Sequence, residues 1–498
     1  MSISIKTNSQ MSVENPVSLS CSVIAAFLTW FIFNPGVFSA DSMYFIYEST
    51  TGLYSDWHSP FLAFILALIP AIKSTIGIVI LAQIAAGWLG IRRLAIGIAR
   101  FMGVEASLLD RMVSSILILF SLPLSPLPIY LSTLWTDTWL AVFLVWIMAL
   151  LIELYLESRL HSRGNLTVKV SCAVVLIAVA ILIRSNSLVI YPALSLCLWI
   201  ALRPIFTNKM QRFLLLGIPL ALFAIFIVSQ YKVFDVKRGH AEHAIYALDL
   251  ASMIVLDPTI CQDLSLLSCD LVLGNFSPGF VVGRGAIDFT MNQGHPAYVP
   301  YYDLMYYPGL ENEFVVTVRN HPMLFAEVKL LNFLDYIGPD SSRYFFQENN
   351  HVDDQGFVQP RPLAALANQW FSVTNLVVHN GVLFWFSFVH SVWLIINILG
   401  FALCGWHARW DGRAKFLGLI LLIPLSYYAS YLIAFTSSEF RFMYPSMLVV
   451  QVITLTALCS FILNRGRPIR PLGEPGLNES VYNPKHPDPS KPIEEESA

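Results

Sequence analysis

Residues 17 to 38 form one long apolar stretch, interrupted only by small hydroxyl side chains and an Asn-Pro-Gly step. Its apolar positions follow neither the alternation of a half-buried strand nor the single stripe of a soluble amphipathic helix. A helix that is apolar all round belongs in a membrane or in the core of a large protein. Further runs of this kind cover about 62–90, 112–131, 138–156, 168–184, 187–202, 213–231, 381–404, 415–436 and 443–464. Roughly 20 residues of helix cross a bilayer, so the pattern predicts an all-α polytopic membrane protein with about ten transmembrane helices. The second run is too long for one simple span. Its first part, 60–72 (PFLAFILALIPAI), is too short to cross and ends at Lys73. It reads as an interfacial helix leading into a span over about 74–91.

The polar intervals give an orientation. Arg92, Arg93, Arg100 and Arg111 follow span two, Arg159, Arg163 and Lys169 span four, and Arg203, Lys209 and Arg212 span six. Arg409, Arg413 and Lys415 follow span eight, and Arg465, Arg467 and Arg470 the last. With ten spans all these loops fall on one side, and the positive-inside rule makes that side, and both termini, cytoplasmic. Residues 1–231 then form a membrane module of seven spans, 232–380 an outer, mainly helical domain with helices near 240–255 and 312–337, and 381–464 a second module of three spans. Residues 338–362 read as a loop, and 465–498, rich in Pro, Glu and Lys, as a disordered cytoplasmic tail. The N-terminal run has no convincing cleavage site after it and reads as a retained first helix.

Composition agrees with this layout. The 498 residues are 56% hydrophobic and 13% charged, where soluble chains carry about 25% charged residues. A net charge of -3 offers nothing to a nucleic acid. Of seven cysteines, Cys21, Cys172, Cys197, Cys404 and Cys459 lie in apolar runs and act as small hydrophobes. Cys261 and Cys269 share the long outer segment, where they are either a disulfide closing a short loop or two free thiols.

Candidate chemistry concentrates at the outer edge. Asp41 follows span one and Asp137 lies between spans three and four, at the same expected depth. Two acids there could serve as a base and its partner, or each could be an ordinary interfacial acid or helix cap. Arg184 sits in a turn too short to leave the membrane edge, His58 and Lys73 flank the interfacial helix, and Arg441 opens the last span. Cations at headgroup depth suit a phosphate or diphosphate. The plain alternatives are snorkelling for Arg184 and a local pair with Glu439 for Arg441. Trp57 is the best candidate among the aromatics to stack on a sugar, the others belonging to the interface belt. No His, Cys and carboxylate cluster has metal spacing, and His240, His243, His295, His321 and His351 read as surface or helix-start residues.

The opening loop, with Asp41 at its start and "YSDWHSP" at its end, resembles that of the GT-C superfamily of membrane glycosyltransferases. Protein O-mannosyltransferases and the lipid A aminoarabinose transferase begin this loop with an Asp-Glu pair and close it with His-Pro-Pro or Lys-Pro-Pro. Here Asp41 matches the Asp, and His58-Ser59-Pro60 the closing step. Asp137 matches the acid that those families carry between spans three and four. Bacterial GT-C-like membrane proteins with Asp-Trp-His-Pro-Pro are similar to Asp56-Trp57-His58-Ser59-Pro60, and their Asp-Arg-Tyr-like step to Glu439-Phe440-Arg441-Phe442. In the outer segment, "RNHPMLFAEVKLLNFL" is a similar His-Pro helix start. Ser42 stands where the second acid of the pair would be, and Ser59 where the first proline would be.

The resemblance implies a GT-C-like fold and an inverting transfer of a sugar from a polyprenyl-phosphate donor to an envelope glycan, lipid or protein, at the outer face of a bacterial plasma membrane. It makes Asp41 the base, or the group that fixes the acceptor, and Asp137 its assistant. It gives His58, with Asp56 and Trp57 beside it, a place at the substrate, with His58 on the lipid phosphate. It makes Arg184 or Lys73 the stabiliser of the leaving phosphate, and Arg441 a further candidate for contact with substrate or phosphate. It allows a divalent metal but assigns none. The alternative is a transporter or flippase of a lipid-linked or anionic solute, whose ionisable groups should lie near the bilayer midplane. A non-catalytic relative would hold Asp41 and Asp137 far apart.

Overall fold

The computed structural model of the chain describes residues 16–159, 165–264, 269–276, 298–339, 363–378, 381–408, 411–433 and 440–464. Their regular structure is helical, with two isolated bridges (Val37 to Thr133 and Ser55 to Lys237) and no named strand among them. The helices are α1 Pro16–Phe33, α2 Ala40–Thr51, α3 Phe61–Ala67, α4 Ile72–Phe101, α5 Ala106–Ser121, α6 Leu127–Ser132, α7 Thr136–Arg159, α8 Leu166–Ile183, α9 Tyr191–Leu202 and α10 Lys209–Lys232. Then come α11 Ala241–Leu256, α12 Cys269–Asn275, α13 Tyr298–Met305, α14 Leu310–Asn320, α15 Pro322–Ile337, α16 Ala364–Val378, α17 Gly381–Phe388, α18 His390–His407, α19 Gly412–Ile433 and α20 Phe440–Leu463.

Nine helical segments among the described residues are long and apolar enough to cross a membrane. Their outward faces are apolar as well. Met210, Phe213, Leu214, Ile225 and Val228 are exposed along α10, and Val23, Ile24, Phe27 and Phe31 along α1. Contiguous apolar surface on this scale marks an interaction face, and on helices of this length lipid is the natural partner. The protein is therefore an integral membrane protein.

The expected span at 112–131 differs from the rest. It is broken into α5 and α6 at residues 122–126, where the sequence LPLSP places Pro123 and Pro126. Proline cannot supply the helical N–H and crowds the preceding turn. The two pieces still make one traverse. Asp110 near the start of α5 accepts from Val17 N and Ser18 N at the head of α1, while Ser132 O at the end of α6 accepts from Val37 N beyond the end of α1. Irregular backbone inside a membrane needs internal partners, and the buried Gln83 of α4 donates from Nε2 to Leu131 O and Thr133 O, at 2.8 and 2.9 Å. The expected span at 381–404 is also divided, α17 ending before Val389 and α18 crossing from His390.

Close packing of α4 on α7 depends on small residues. A side chain at Gly90 would strike the indole of Trp146 at 2.8 Å, and that indole donates to Ala86 O at 2.8 Å. The heads of α1 and α5 share one end of the bundle with the tail of α20, where Asn464 Nδ2 donates to Met102 O at 3.0 Å. We call this the terminal end. The start of α2, the α6–α7 corner, Arg184 and the head of α20 lie at the other end, the site end.

The segment after α10 is built on α11, which packs against α12, α13, α14 and α15. Cys261 and Cys269 are disulfide-bonded, Cα to Cα 6.0 Å. Helices α14 and α15 are separated at His321-Pro322, and His321 Nε2 pairs with Asp263 at 2.8 Å. Inside the segment Lys329 meets Asp249 at 2.6 Å, both nearly sealed from solvent. Tyr336 of α15 packs edge-on against Tyr431 of α19, which joins the segment to the bundle near the site end.

Candidate functional site

The site end is assembled by hydrogen bonds that the local sequence makes available. Ser39 caps α2 and forms a reciprocal capping box with Ser42, which places Asp41 in the first turn. Trp135 Nε1 donates to Ser39 Oγ at 2.6 Å, and Ser42 Oγ donates to Leu134 O at 2.9 Å. These bonds stitch the head of α2 to the segment just before α7, so Asp41 and Asp137 are held at one level. Tyr130 OH donates to Arg441 O at 3.2 Å and brings the head of α20 to the same place.

Two ion pairs occupy this level. Arg441 Nη1 lies 2.5 Å from Asp41 Oδ2, and Arg184 Nη1 lies 2.5 Å from Asp137 Oδ2. The rings of Phe442 and Trp135 organise them. Arg441 stacks 4.9 Å over Trp135 and 4.9 Å over Phe442, and Arg184 stacks 4.9 Å over the same Phe442 ring. Such stacking suits the planar guanidinium. His58 Nε2 stands 3.4 Å from Asp41 Oδ1, its ring against Tyr44 and Phe45. Arg441, Asp41 and His58 are all within electrostatic reach of Asp137. The two acids thus share one cluster.

The two carboxylates differ. Asp41 is 21% exposed and His58 27%, while Asp137 is 2% exposed. Burial opposes the charge on Asp41, but Arg441 and His58 outweigh it and hold the carboxyl well below the usual range. A carboxylate so held accepts a hydrogen bond well and a proton poorly while the pair is intact. Asp137 keeps Oδ1 buried with no hydrogen-bond partner among the described residues. Arg184 is further fixed by Asn186 Oδ1 at 3.1 Å.

Other residues singled out from the sequence take different places. Both oxygens of Asp56 are engaged, Oδ2 accepting from Tyr231 OH at 2.6 Å and Oδ1 from Gly239 N, so Asp56 clasps the opening loop to the chain before α11. A carboxylate so used fastens the two segments together. Trp57 is half-buried beside it, and a Cβ at Gly239 would meet Trp57 N at 3.2 Å. Lys73 is exposed in the first turn of α4, while Asp41 and Asp137 are paired by Arg441, His58 and Arg184. Glu439 lies outside the described residues, and among the described residues Arg441 pairs with Asp41.

Several site residues were not legible in the sequence. Glu48 on α2 is buried, its Oε1 accepting from Ser55 N at 2.6 Å. Burial pushes its carboxyl up to about 7, against the Ser55 and Tyr44 hydrogen bonds. Tyr427 and Tyr431 exchange a 3.0 Å hydrogen bond beside Arg184, and Tyr431 stacks on Phe442. In sequence these tyrosines are indistinguishable from the aromatics of an interface belt. His240, Glu242 and His243 bring one potential ligand atom each within 4.8 Å of the others, although their sequence pattern carries no familiar metal spacing.

Comparison with protein-family models, with curated proteins and with solved structures gives no match to this chain.

Proposed function

We propose that this protein is a membrane glycosyltransferase of GT-C type. It takes a sugar from a polyprenyl phosphate at the outer face of a bacterial plasma membrane, both termini being cytoplasmic, and passes it to an envelope glycan, lipid or protein. The observation that carries the reading is the pair of guanidinium–carboxylate contacts joined by Phe442, with His58 at their open side. Two arginines at a membrane edge, stacked on rings, form a phosphate grip whose carboxylate partners are themselves the groups an acceptor needs.

The chemistry follows from competition. A lipid phosphate reaching Arg441 and Arg184 competes with Asp41 and Asp137 for the same guanidinium donors. As Arg441 turns to the phosphate, Asp41 loses the charge that depresses it and becomes a better proton acceptor. The acceptor hydroxyl gives its proton to Asp41 while its oxygen bonds to the anomeric carbon. The bond from that carbon to the phosphate oxygen breaks, and the polyprenyl phosphate leaves with the electron pair. Attack opposite the phosphate inverts the anomeric centre. Arg184 and Arg441 stabilise the charge that grows on the leaving group, and His58 contacts the phosphate. Asp137, nearly sealed, acts through Arg184 as a positioning residue.

The test is turnover by the full-length protein in detergent or nanodiscs, read as polyprenyl phosphate released from a panel of polyprenyl-phosphate sugars. Asp41→Asn should lower the rate about 10²–10⁴-fold and leave polyprenyl phosphate binding in place. Binding of a lipid-linked sugar with no release by the wild type, and passage of that lipid across a vesicle bilayer, would make the protein a transporter.

A further inference from the structure

The head of α11 carries Arg238, Gly239, His240, Ala241, Glu242 and His243 in succession. His240 caps the helix with φ at +54°, the left-handed region. Residues other than glycine rarely occupy it without a reason. Its effect here is to fold the His240 ring back over the first turn, its centroid 4.7 Å from that of His243. His240 Nδ1 stands 3.4 Å from Glu242 Oε1. One ligand atom from each of the three residues lies within 4.8 Å of the others.

The second contact of His243 sets its chemistry. His243 Nδ1 is 3.1 Å from Met305 O on α13. A carbonyl only accepts, so Nδ1 carries the proton and Nε2 of the neutral ring holds a lone pair. Metal-bound histidines are oriented in this way, one ring nitrogen donating to a backbone carbonyl and the other left for the ion. A helix start ordinarily favours anions, and Glu242 supplies the negative charge that makes this one hospitable to a cation.

We propose that His240, Glu242 and His243 form a site for a divalent transition metal of the zinc class, with water completing the coordination. Two imidazoles and one carboxylate suit zinc better than calcium or magnesium, which take all-oxygen shells. Zinc bonds of about 2.0–2.1 Å require the three ligand atoms to draw together from within 4.8 Å, by rotation of half-buried side chains at a helix head. Arg238 competes for Glu242 at 3.4 Å, but that pair is solvent-exposed and weak.

The site is one residue from the Asp56 clasp on Gly239, and Lys237 N donates to Tyr54 O at 2.9 Å. A bound ion would therefore stiffen the head of α11 beside the loop that carries His58. This proposal does not depend on the glycosyl-transfer reading.

The experiment uses the full-length protein in detergent, stripped with chelator, and titrates Zn²⁺ against a chromophoric competitor. Wild type should bind one Zn²⁺ that the double variant His240→Ala/His243→Ala binds at least about 100-fold more weakly. Zn²⁺ should raise the unfolding temperature of the wild type and not of the variant. If the double variant does not fold, Glu242→Gln, a near-isosteric change at a half-buried position, must still weaken Zn²⁺ at least about tenfold. Co²⁺ should give the spectrum of a nitrogen and oxygen site. Equal Zn²⁺ affinity in wild type and variants overturns the proposal, as does a Co²⁺ spectrum dominated by thiolate charge transfer.

Discussion

At the terminal end of the bundle, Arg93 of α4 grips Glu153 of α7 with two parallel hydrogen bonds, Nε to Oε1 at 2.7 Å and Nη2 to Oε2 at 2.8 Å. Lys169 of α8 reaches the same Glu153 at 2.8 Å and also pairs with Glu157. At the site end, Asp41, His58, Asp137, Arg184 and Arg441 also balance acids against cations, but from five separate stretches of chain. The terminal network is local and redundant. It lies on three helices consecutive in space, and Glu153 keeps a partner if either cation is lost. In the site network Asp137 is paired with Arg184 and Asp41 with Arg441 and His58, and the ring of Phe442 lies under both guanidinium groups. The contrast separates a cluster built on three neighbouring helices from one that gathers five distant stretches of chain.

The largest expected effect comes from cutting the deepest site pair. Arg184→Met should destabilise the protein by about 3–5 kcal/mol, because it leaves a buried carboxylate without its charge partner. Adding Asp137→Asn should recover much of that loss, as thermal unfolding in detergent would show. If the single variant proves as stable as wild type, Asp137 is not the sealed partner described here. The segment after α10 gives a matching buried pair. Lys329→Met strands Asp249, which burial already pushes up to about 6 despite Lys329, and should cost about 3 kcal/mol. Asp249→Asn/Lys329→Met should restore most of it in the same assay.

A smaller effect tests Glu48. Its folded pKa is raised above the ordinary 4.5 to about 7, so the folded state binds the proton more tightly. The stabilisation is complete below about pH 4.5 and is lost as pH rises through about 7. Hydrogen exchange across residues 52–58 should therefore speed up between pH 5 and pH 8 beyond its intrinsic change, and Glu48→Gln should remove the excess. A Glu48→Gln profile identical to wild type would show that Glu48 does not govern this loop. The smallest effect belongs to the terminal end. Arg93→Gln should cost only about 0.5–1 kcal/mol, since Lys169 still holds a part-exposed Glu153.

The membrane architecture was legible because a bilayer imposes its length on every span. Its two misread segments fail for local reasons. Pro123 and Pro126 break the third run, and α17 stops before Val389. The acids of the site were legible too, since Asp41 and Asp137 stand out at the ends of apolar runs. Their partners were not. Packing of α20 against the α6–α7 corner sets Arg441 on Asp41, a residue far away in the chain. Asp56 stands out in "SDWHSP", but its partners Tyr231 and Gly239 lie far along the chain and are not visible there. His240, Glu242 and His243 converge through a left-handed residue at the helix cap, a conformation that residue spacing does not disclose.

The most direct test is polyprenyl phosphate binding to the purified protein, measured side by side for wild type, Arg441→Gln and Arg93→Gln. Loss of one charge-assisted contact of about 1.5–3 kcal/mol predicts binding about 10- to 100-fold weaker in Arg441→Gln and unchanged in Arg93→Gln. Unchanged binding in Arg441→Gln, or an equal loss in both variants, would contradict a phosphate site at the Asp41–Arg441 end.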